Sequence, residues 1–269
     1  MSDKKPRYIT TTLPYVNADP HIGFALEIIQ ADMLARYWRL MGHPVFFSTG
    51  TDEHGQKIAQ KADEAGQSRQ EYVDHYAGEF DRLKSALNLS NDAFVRTTDP
   101  AHQTAAQEMW RRCEAKGDIY KKSYSGLYCV GDEAFVKESE LVDGKCPNHP
   151  TQEPVTISEE NYFFRLSKYQ EQLIELLSDV SRTLPDWQRQ WALEFVQNGL
   201  EDISISRQKN RMDWGIPVPG DDSQVMYVWF DALTNYISTL GWGSTGDNVF
   251  QKFWVDGETL QVAGKDQVR

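Results

Sequence analysis

No stretch of this 269-residue sequence approaches the roughly 20 consecutive apolar residues that a membrane-spanning helix needs. The opening residues, Met1-Ser2-Asp3-Lys4-Lys5-Pro6-Arg7, run straight into a strand-like stretch and carry no apolar core of the kind a secretory signal has. Cysteine is scarce. Cys113, Cys129 and Cys146 are an odd number spread along a long chain, which fits a reducing cytosol better than a disulfide framework. Positive charge is short as well: 28 Lys and Arg stand against 40 Asp and Glu, a net charge of -12. That balance repels polyanions at long range and argues against non-specific coating of nucleic acid. Internal repeats, low-complexity tracts and a Gly-x-Gly-x-x-Gly dinucleotide fingerprint are missing too. Membrane-spanning and secreted classes are set aside, and a cytoplasmic location is expected.

What is there is an ordinary globular composition, 40% hydrophobic and 25% charged, with a mean hydropathy of -0.60. The chain is long enough for one large core or two smaller ones. The run Arg7-Tyr8-Ile9-Thr10-Thr11-Thr12-Leu13 predicts a strand, ended by a loop containing Pro14, Asn17, Asp19 and Pro20. From Ile22 to Met41, apolar residues recur at helical spacing (Ile22, Leu26, Ile29, Met33, Leu34, Tyr37, Leu40), and Gly42 closes the helix. A short buried-type strand follows at 44–49. Strand, helix and strand in that span form a βαβ unit, which implies a parallel sheet with a right-handed crossover.

Further helices are predicted near 55–66, 69–87 and 100–117, with a strand at 93–96. The texture changes at Gly117-Asp118. Residues 119–165 carry short strand-like pieces and both remaining cysteines; helical spacing returns at 166–179 and 187–199, and strand texture at 203–206, 225–229 and 259–263. The fold class expected is α/β: a doubly wound parallel sheet whose first half is 1–118, an insertion over 119–224, and the start of the second half at 225–269. A parallel sheet must be covered on both faces, so a chain stopping just past a strand reads as a fragment.

The turn Pro14-Tyr15-Val16-Asn17-Ala18-Asp19-Pro20-His21-Ile22-Gly23-Phe24 joins the first strand to the first helix. Free N–H groups and the helix dipole at such a position attract phosphate. His21 can donate to a phosphate oxygen, Gly23 permits close approach, and Glu27 can accept from a ribose hydroxyl. The plainer reading makes His21 a helix cap and Gly23 a packing residue. Thr49-Gly50-Thr51-Asp52 ends a parallel strand, where open α/β sheets bind ligands. Its carboxylate can pair with an ammonium group or cap the next helix. Trp229, Ala232 and Tyr236 can share one helical face, as an aromatic pocket or as core.

Together these segments resemble the class I aminoacyl-tRNA synthetases and, within them, the methionine-specific family. The family's first signature, Pro-Tyr-x-Asn-x-x-x-His-Ile/Leu-Gly-His, is reproduced except that Phe24 stands in place of the second histidine. The resemblance continues through Ser48–Gly55, Ile203-Ser204-Ile205-Ser206-Arg207, Trp214–Pro219, Val228-Trp229-Phe230-Asp231-Ala232 with Tyr236, and Ala263-Gly264-Lys265-Asp266. It implies a Rossmann-like catalytic domain carrying a connective insertion. It also implies ATP-dependent activation of methionine, with Mg²⁺ accompanying the nucleotide, and transfer to tRNA(Met). His21 and Lys265 then take the catalytic phosphate contacts, and Thr12, Gly23, Phe24 and Glu27 join them in binding ATP. Leu13, Tyr15, Asp52, Trp229, Ala232 and Tyr236 bind methionine, with Asp52 on the α-amino group. The resemblance places the family's Lys-Met-Ser-Lys-Ser signature and its anticodon-binding domain after the Ala263-Gly264-Lys265-Asp266 segment, past Arg269.

Cys129-Val130-Gly131-Asp132 and Cys146-Pro147-Asn148-His149 are two half-sites with the spacing of a zinc knuckle, with Asp132 where relatives place a second cysteine. Cys129, Asp132, Cys146 and His149 can ligate zinc as a set, but a degenerate, metal-free knuckle is the expectation, since some relatives have lost the metal. Arg207, Lys209 and Arg211 form a modest basic group that can meet tRNA phosphate or simply face water. The rival functions are a synthetase for valine, isoleucine or leucine, and a non-catalytic tRNA- or protein-binding module on the same fold.

Overall fold

The computed structural model describes residues 4–132, 134–243 and 248–264. A four-stranded parallel sheet is its spine. Strand β1 (Arg7–Thr11) lies between β11 (Glu258–Val262) and β2 (Val45–Thr51), and β3 (Ala93–Arg96) sits outside β2, giving the order β11-β1-β2-β3. Adjacent residues on the strands feed opposite faces, as the two-residue period demands. Ile9 and Phe47 enter one core with Phe24, Ile28, Ala31 and Phe80, whereas Tyr8 and Phe46 enter a second core with Leu240, Phe250 and Phe253. Both faces of the sheet around β1 and β2 are therefore covered, as a parallel sheet requires.

Helix α1 (Ile22–Leu40) connects β1 to β2, with Gly42 at φ 82 just past its end. The helix forms as its spacing predicts. Phe24, Ile28, Ala31 and Ala35 are buried against the sheet, while Ile22, Leu26, Ile29, Met33, Tyr37 and Leu40 are exposed. Small side chains at Ala31 and Ala35 let the helix lie close to the strands. Helices α2 (Gln56–Ala65) and α3 (Arg69–Ala86) join β2 to β3, α3 opening with a reciprocal Ser68–Glu71 capping box. Helix α4 (Pro100–Ala115) follows β3.

The chain then leaves the parallel sheet. Strands β4 (Ile119–Cys129), β5 (Ala134–Val136), β6 (Val155–Phe164) and β7 (Ile203–Ser204) make an antiparallel sheet in the order β5-β4-β6-β7. Helices α5 (Gln170–Ser178) and α6 (Asp186–Gln197) lie between β6 and β7. A second small sheet, β8-β10-β9, uses β8 (Ser206–Gln208), β9 (Pro217–Val218) and β10 (Asp221–Met226). The boundary expected at 224 falls inside β10, and the strand expected over 225–229 is cut short. Helix α7 (Val228–Leu233) begins there instead, followed by α8 (Asn235–Ser238) and α9 (Asn248–Phe250), before the chain reaches β11.

Strand order fixes where a ligand can lie. The connections from β1 run outward through β2 to β3, whereas β11 returns on the opposite side of β1. The crevice at the carboxyl ends of β1 and β11 is thus the topological switch point, the usual ligand site of an open α/β sheet.

Candidate active site

His21 stands at the mouth of this crevice as the cap of α1. Its Nδ1 accepts from the backbone N–H groups of Gly23 (3.1 Å) and Phe24 (3.4 Å). An accepting Nδ1 leaves the proton on Nε2, so the cap itself turns the outer edge of the ring into a donor. Capping therefore occupies one nitrogen of the ring and leaves the other free to donate. Gly23 has a local cause: a Cβ there would come within 3.0 Å of the His21 ring. Phe24 departs from the expectation that it contacts ATP. Its ring is buried in the α1–sheet core and packs edge-on against Phe80, with centroids 5.3 Å apart.

Glu27, one turn further along α1, spans the switch point. Its Oε1 accepts from the Thr12 N–H at 2.8 Å, while Thr12 N–H also reaches Val262 O of β11 at 3.2 Å. Gly264 backbone N–H bonds to the same carboxylate. Burial pushes the Glu27 carboxyl up, against the backbone donations from Thr12 and Gly264. The Thr12 hydroxyl is buried with no hydrogen-bond partner among the described residues, an open polar position where the strands separate. Tyr236 belongs to the same neighbourhood, since burial first and the Glu27 carboxylate second push its phenol up. Lys265 lies outside the described residues.

Asp52 sits at the same end of the sheet. Its backbone forms an isolated parallel bridge with Tyr15: Asp52 N–H donates to Pro14 O at 2.9 Å, and Val16 N–H donates to Asp52 O at 3.2 Å. Leu13 and Asp52 are both nearly buried, and Tyr15 packs partly against the core. The alternative of Asp52 as a helix cap falls away, because α2 is capped by Gly55 without a side-chain bond. The loop around Asp52 is held by its neighbours. Glu53 is fully buried and receives Arg96 through two nitrogens at 2.7 and 2.9 Å, and the Trp214 indole donates to Glu53 O at 2.6 Å.

Helix α7 presents two different faces. Trp229 is 59% exposed and Leu233 60%, whereas Val228 and Asp231 are buried. Ala232 and Tyr236 are half-buried. Asp231 was not a candidate in the sequence, yet it binds two buried imidazoles: His54 Nδ1 lies 2.8 Å from its Oδ2 and His102 Nε2 3.0 Å from its Oδ1. His102 Nδ1 in turn meets Ser238 Oγ at 2.9 Å. Burial pushes the Asp231 carboxyl up, but the two imidazoles outweigh it and hold the group below the ordinary carboxylate range. Sequence reasoning misses this trio because its members lie 177 and 129 residues apart.

In the insertion, the four knuckle residues converge. One ligand atom each from Cys129, Asp132, Cys146 and His149 all lie within 4.8 Å of one another. Cys129 Sγ is 3.7 Å from His149 Nδ1, which is 3.3 Å from Asp132 Oδ1, and Cys146 Sγ is 2.7 Å from Asp132 Oδ2. Bonds of the usual zinc length place tetrahedral ligand atoms roughly 3.3–3.8 Å apart, so this donor set fits a small divalent ion after modest adjustment. Gly131 makes room for the His149 ring, since a Cβ there would lie 2.4 Å from it. Burial, then the adjoining Asp132 carboxylate, push the Cys146 thiol up to about 11.

The basic group divides. Arg207 is buried, its guanidinium 4.4 Å from the Tyr227 ring centroid and 5.7 Å from that of Tyr128, and it donates to Ser204 Oγ and Ser206 O. It is neither a solvated cation nor a surface phosphate contact. Lys209 and Arg211 are exposed.

The family described as tRNA synthetases class I (M) matches residues 7–153 and 148–269. The methionine–tRNA ligase of Mycobacterium bovis is 46% identical over 269 residues, covering 98% of this chain and 51% of that protein. The methionine–tRNA ligase of Rhizobium meliloti is 45% identical over 273 residues, covering 100% of this chain and 52% of the relative. The structure of Mycobacterium tuberculosis methionyl-tRNA synthetase in complex with methionyl-adenylate superposes with a TM-score of 0.90 at 44% identity, covering 99% of this chain and 52% of that one. The chain spans about half the length of the relatives it matches. It belongs to the methionine branch of the class I tRNA synthetase family.

Proposed function

We propose that this chain supplies the methionine- and ATP-binding half of a methionine–tRNA ligase acting in protein synthesis. The observation that carries the reading is the convergence of His21 and Asp52 at one end of one parallel sheet, joined through the Tyr15–Asp52 bridge. The Asp52 carboxylate receives the α-ammonium group of methionine, with Leu13 and Tyr15 beside it. Trp229, Ala232 and Tyr236 enclose the flexible thioether side chain, whose polarisable sulfur suits aromatic walls. ATP enters at the switch point, its phosphates toward the His21 Nε2 donor and the N-terminus of α1, and its ribose toward Thr12 and Glu27. Gly23 and Lys265 complete this set, and the Phe24 ring is left out of it.

The methionine carboxylate then attacks the α-phosphorus of ATP, forming methionyl-adenylate and releasing pyrophosphate. No protein nucleophile is needed; placement of the two reactants and stabilisation of charge at the phosphorus carry the rate. Mg²⁺ bound to the nucleotide supplies further neutralisation of phosphate charge. Transfer to tRNA(Met) is the proposed second step of the whole protein. The free cysteines are in keeping with a reducing, cytoplasmic setting. Cys129, Asp132, Cys146 and His149 would hold a structural zinc ion that stiffens the insertion.

Amino-acid-dependent exchange of labelled pyrophosphate into ATP by the full-length protein tests this reading. Exchange is expected with methionine and not with valine, isoleucine or leucine. Absence of exchange with any amino acid, alongside retained tRNA or protein binding, would point to a non-catalytic module.

A further inference from the structure

Asp52 and the aromatic face of α7–α8 come from segments almost 180 residues apart, and a pocket assembled from both needs something to set their relative position. The buried trio of His54, Asp231 and His102 connects the two segments. His54 follows Asp52 by two residues on the loop after β2. Asp231 lies on α7 between Trp229 and Ala232, and Ser238 follows Tyr236 by two residues on α8. Successive helical residues are rotated by about 100°, so Asp231 points roughly opposite to Trp229, while Ala232 and Leu233 fall on the Trp229 side.

We propose that Asp231 is a positioning residue for the amino-acid pocket, gripping His54 and His102 so that the exposed face of α7–α8 is aimed at Asp52. The inference rests on the functional reading above and deepens it. An ionised carboxylate is an acceptor only, so each imidazole donates to a different oxygen of the same group. The first bond ties α7 to the ammonium-binding loop at 2.8 Å, and the second ties it to α4 at 3.0 Å. Through its other nitrogen, His102 reaches Ser238 at 2.9 Å and so fixes α8 against α7. The trio is sealed: His54 is 4% exposed, His102 1% and Asp231 0%. Water cannot substitute for a missing partner there without entering the core.

A purely structural role would lower stability and leave the two substrates equally affected. A positioning role weakens methionine selectively. The test measures equilibrium dialysis of labelled methionine, and separately displacement of a fluorescent ATP analogue, on the full-length protein carrying Asp231→Asn, His102→Leu or His102→Gln. Loss of one hydrogen bond to a charged group predicts a rise of roughly 10- to 100-fold in the methionine Kd for Asp231→Asn and His102→Leu. ATP affinity stays within a factor of about 2. His102→Gln, which keeps an N–H donor, recovers most of the methionine affinity.

If Asp231→Asn does not fold, the His102→Leu and His102→Gln pair decides the matter. Equal methionine Kd values for wild type, His102→Leu and His102→Gln overturn the positioning role. So does parallel weakening of methionine and ATP. Absence of saturable methionine binding by the wild type overturns the functional reading itself, which separates the two failures.

Discussion

Tyr15 and Asp52 pair backbone to backbone across the ends of β1 and β2, so that the loop leading to His21 and the carboxylate expected to bind the substrate amine lie side by side. The bridge makes a crevice out of two strand ends. Asp52→Asn keeps the backbone pairing and removes only the charge. A hydrogen bond to a charged group contributes about 1.5–3 kcal/mol, so the methionine KM in pyrophosphate exchange should rise roughly 10- to 100-fold. The KM for ATP should stay near its wild-type value. Equal effects on both substrates would remove Asp52 from the ammonium role.

His21 joins two functions that substitution can separate. His21→Ala removes the cap of α1 and should cost about 1 kcal/mol of stability, read from the denaturant midpoint. His21→Asn restores a capping side chain but not the outward Nε2 donor. It should recover the midpoint while the rate of pyrophosphate exchange stays at least roughly 100-fold low, the scale of losing one donor to a developing charge. Recovery of stability and rate together would leave His21 a cap and nothing more.

The four-residue cluster of the insertion predicts about one equivalent of zinc in protein purified without chelator, measured by elemental analysis. Cys146→Ser should lower that content sharply. Removal of metal should open the 129–149 segment to protease while the parallel sheet keeps its protection, because the cluster ties only the insertion. Protein free of zinc and equally resistant with and without added metal would restore the metal-free knuckle expected from the Cys-x-x-Asp substitution.

Much of the frame is legible in the sequence. The βαβ opening, the four parallel-sheet strands and the long helices follow from period and from turn residues, and they form within a few positions of expectation. Orientation was harder. Both sides of α1 are apolar, so spacing alone leaves its buried face open; packing chooses the side with Ala31 and Ala35 and leaves Ile22, Leu26, Met33 and Tyr37 exposed. The strand-like run Val225-Met226-Tyr227-Val228 conceals the start of α7, because local propensity yields to tertiary contacts there. Phe24 looked like a gap in the phosphate-binding signature; the structure gives its ring a place in the core against Phe80. The Asp231 trio left no local trace, since each of its contacts joins distant segments.

The most direct measurement is a crystal structure of the full-length protein with a non-hydrolysable methionyl-adenylate analogue. The account predicts the ligand amine at hydrogen-bond distance, about 3 Å, from an Asp52 carboxylate oxygen, the thioether against Trp229 and Tyr236, and the phosphate mimic at His21 Nε2. A ligand bound with its amine and phosphate ends exchanged, or seated away from the carboxyl ends of β1 and β2, would contradict it.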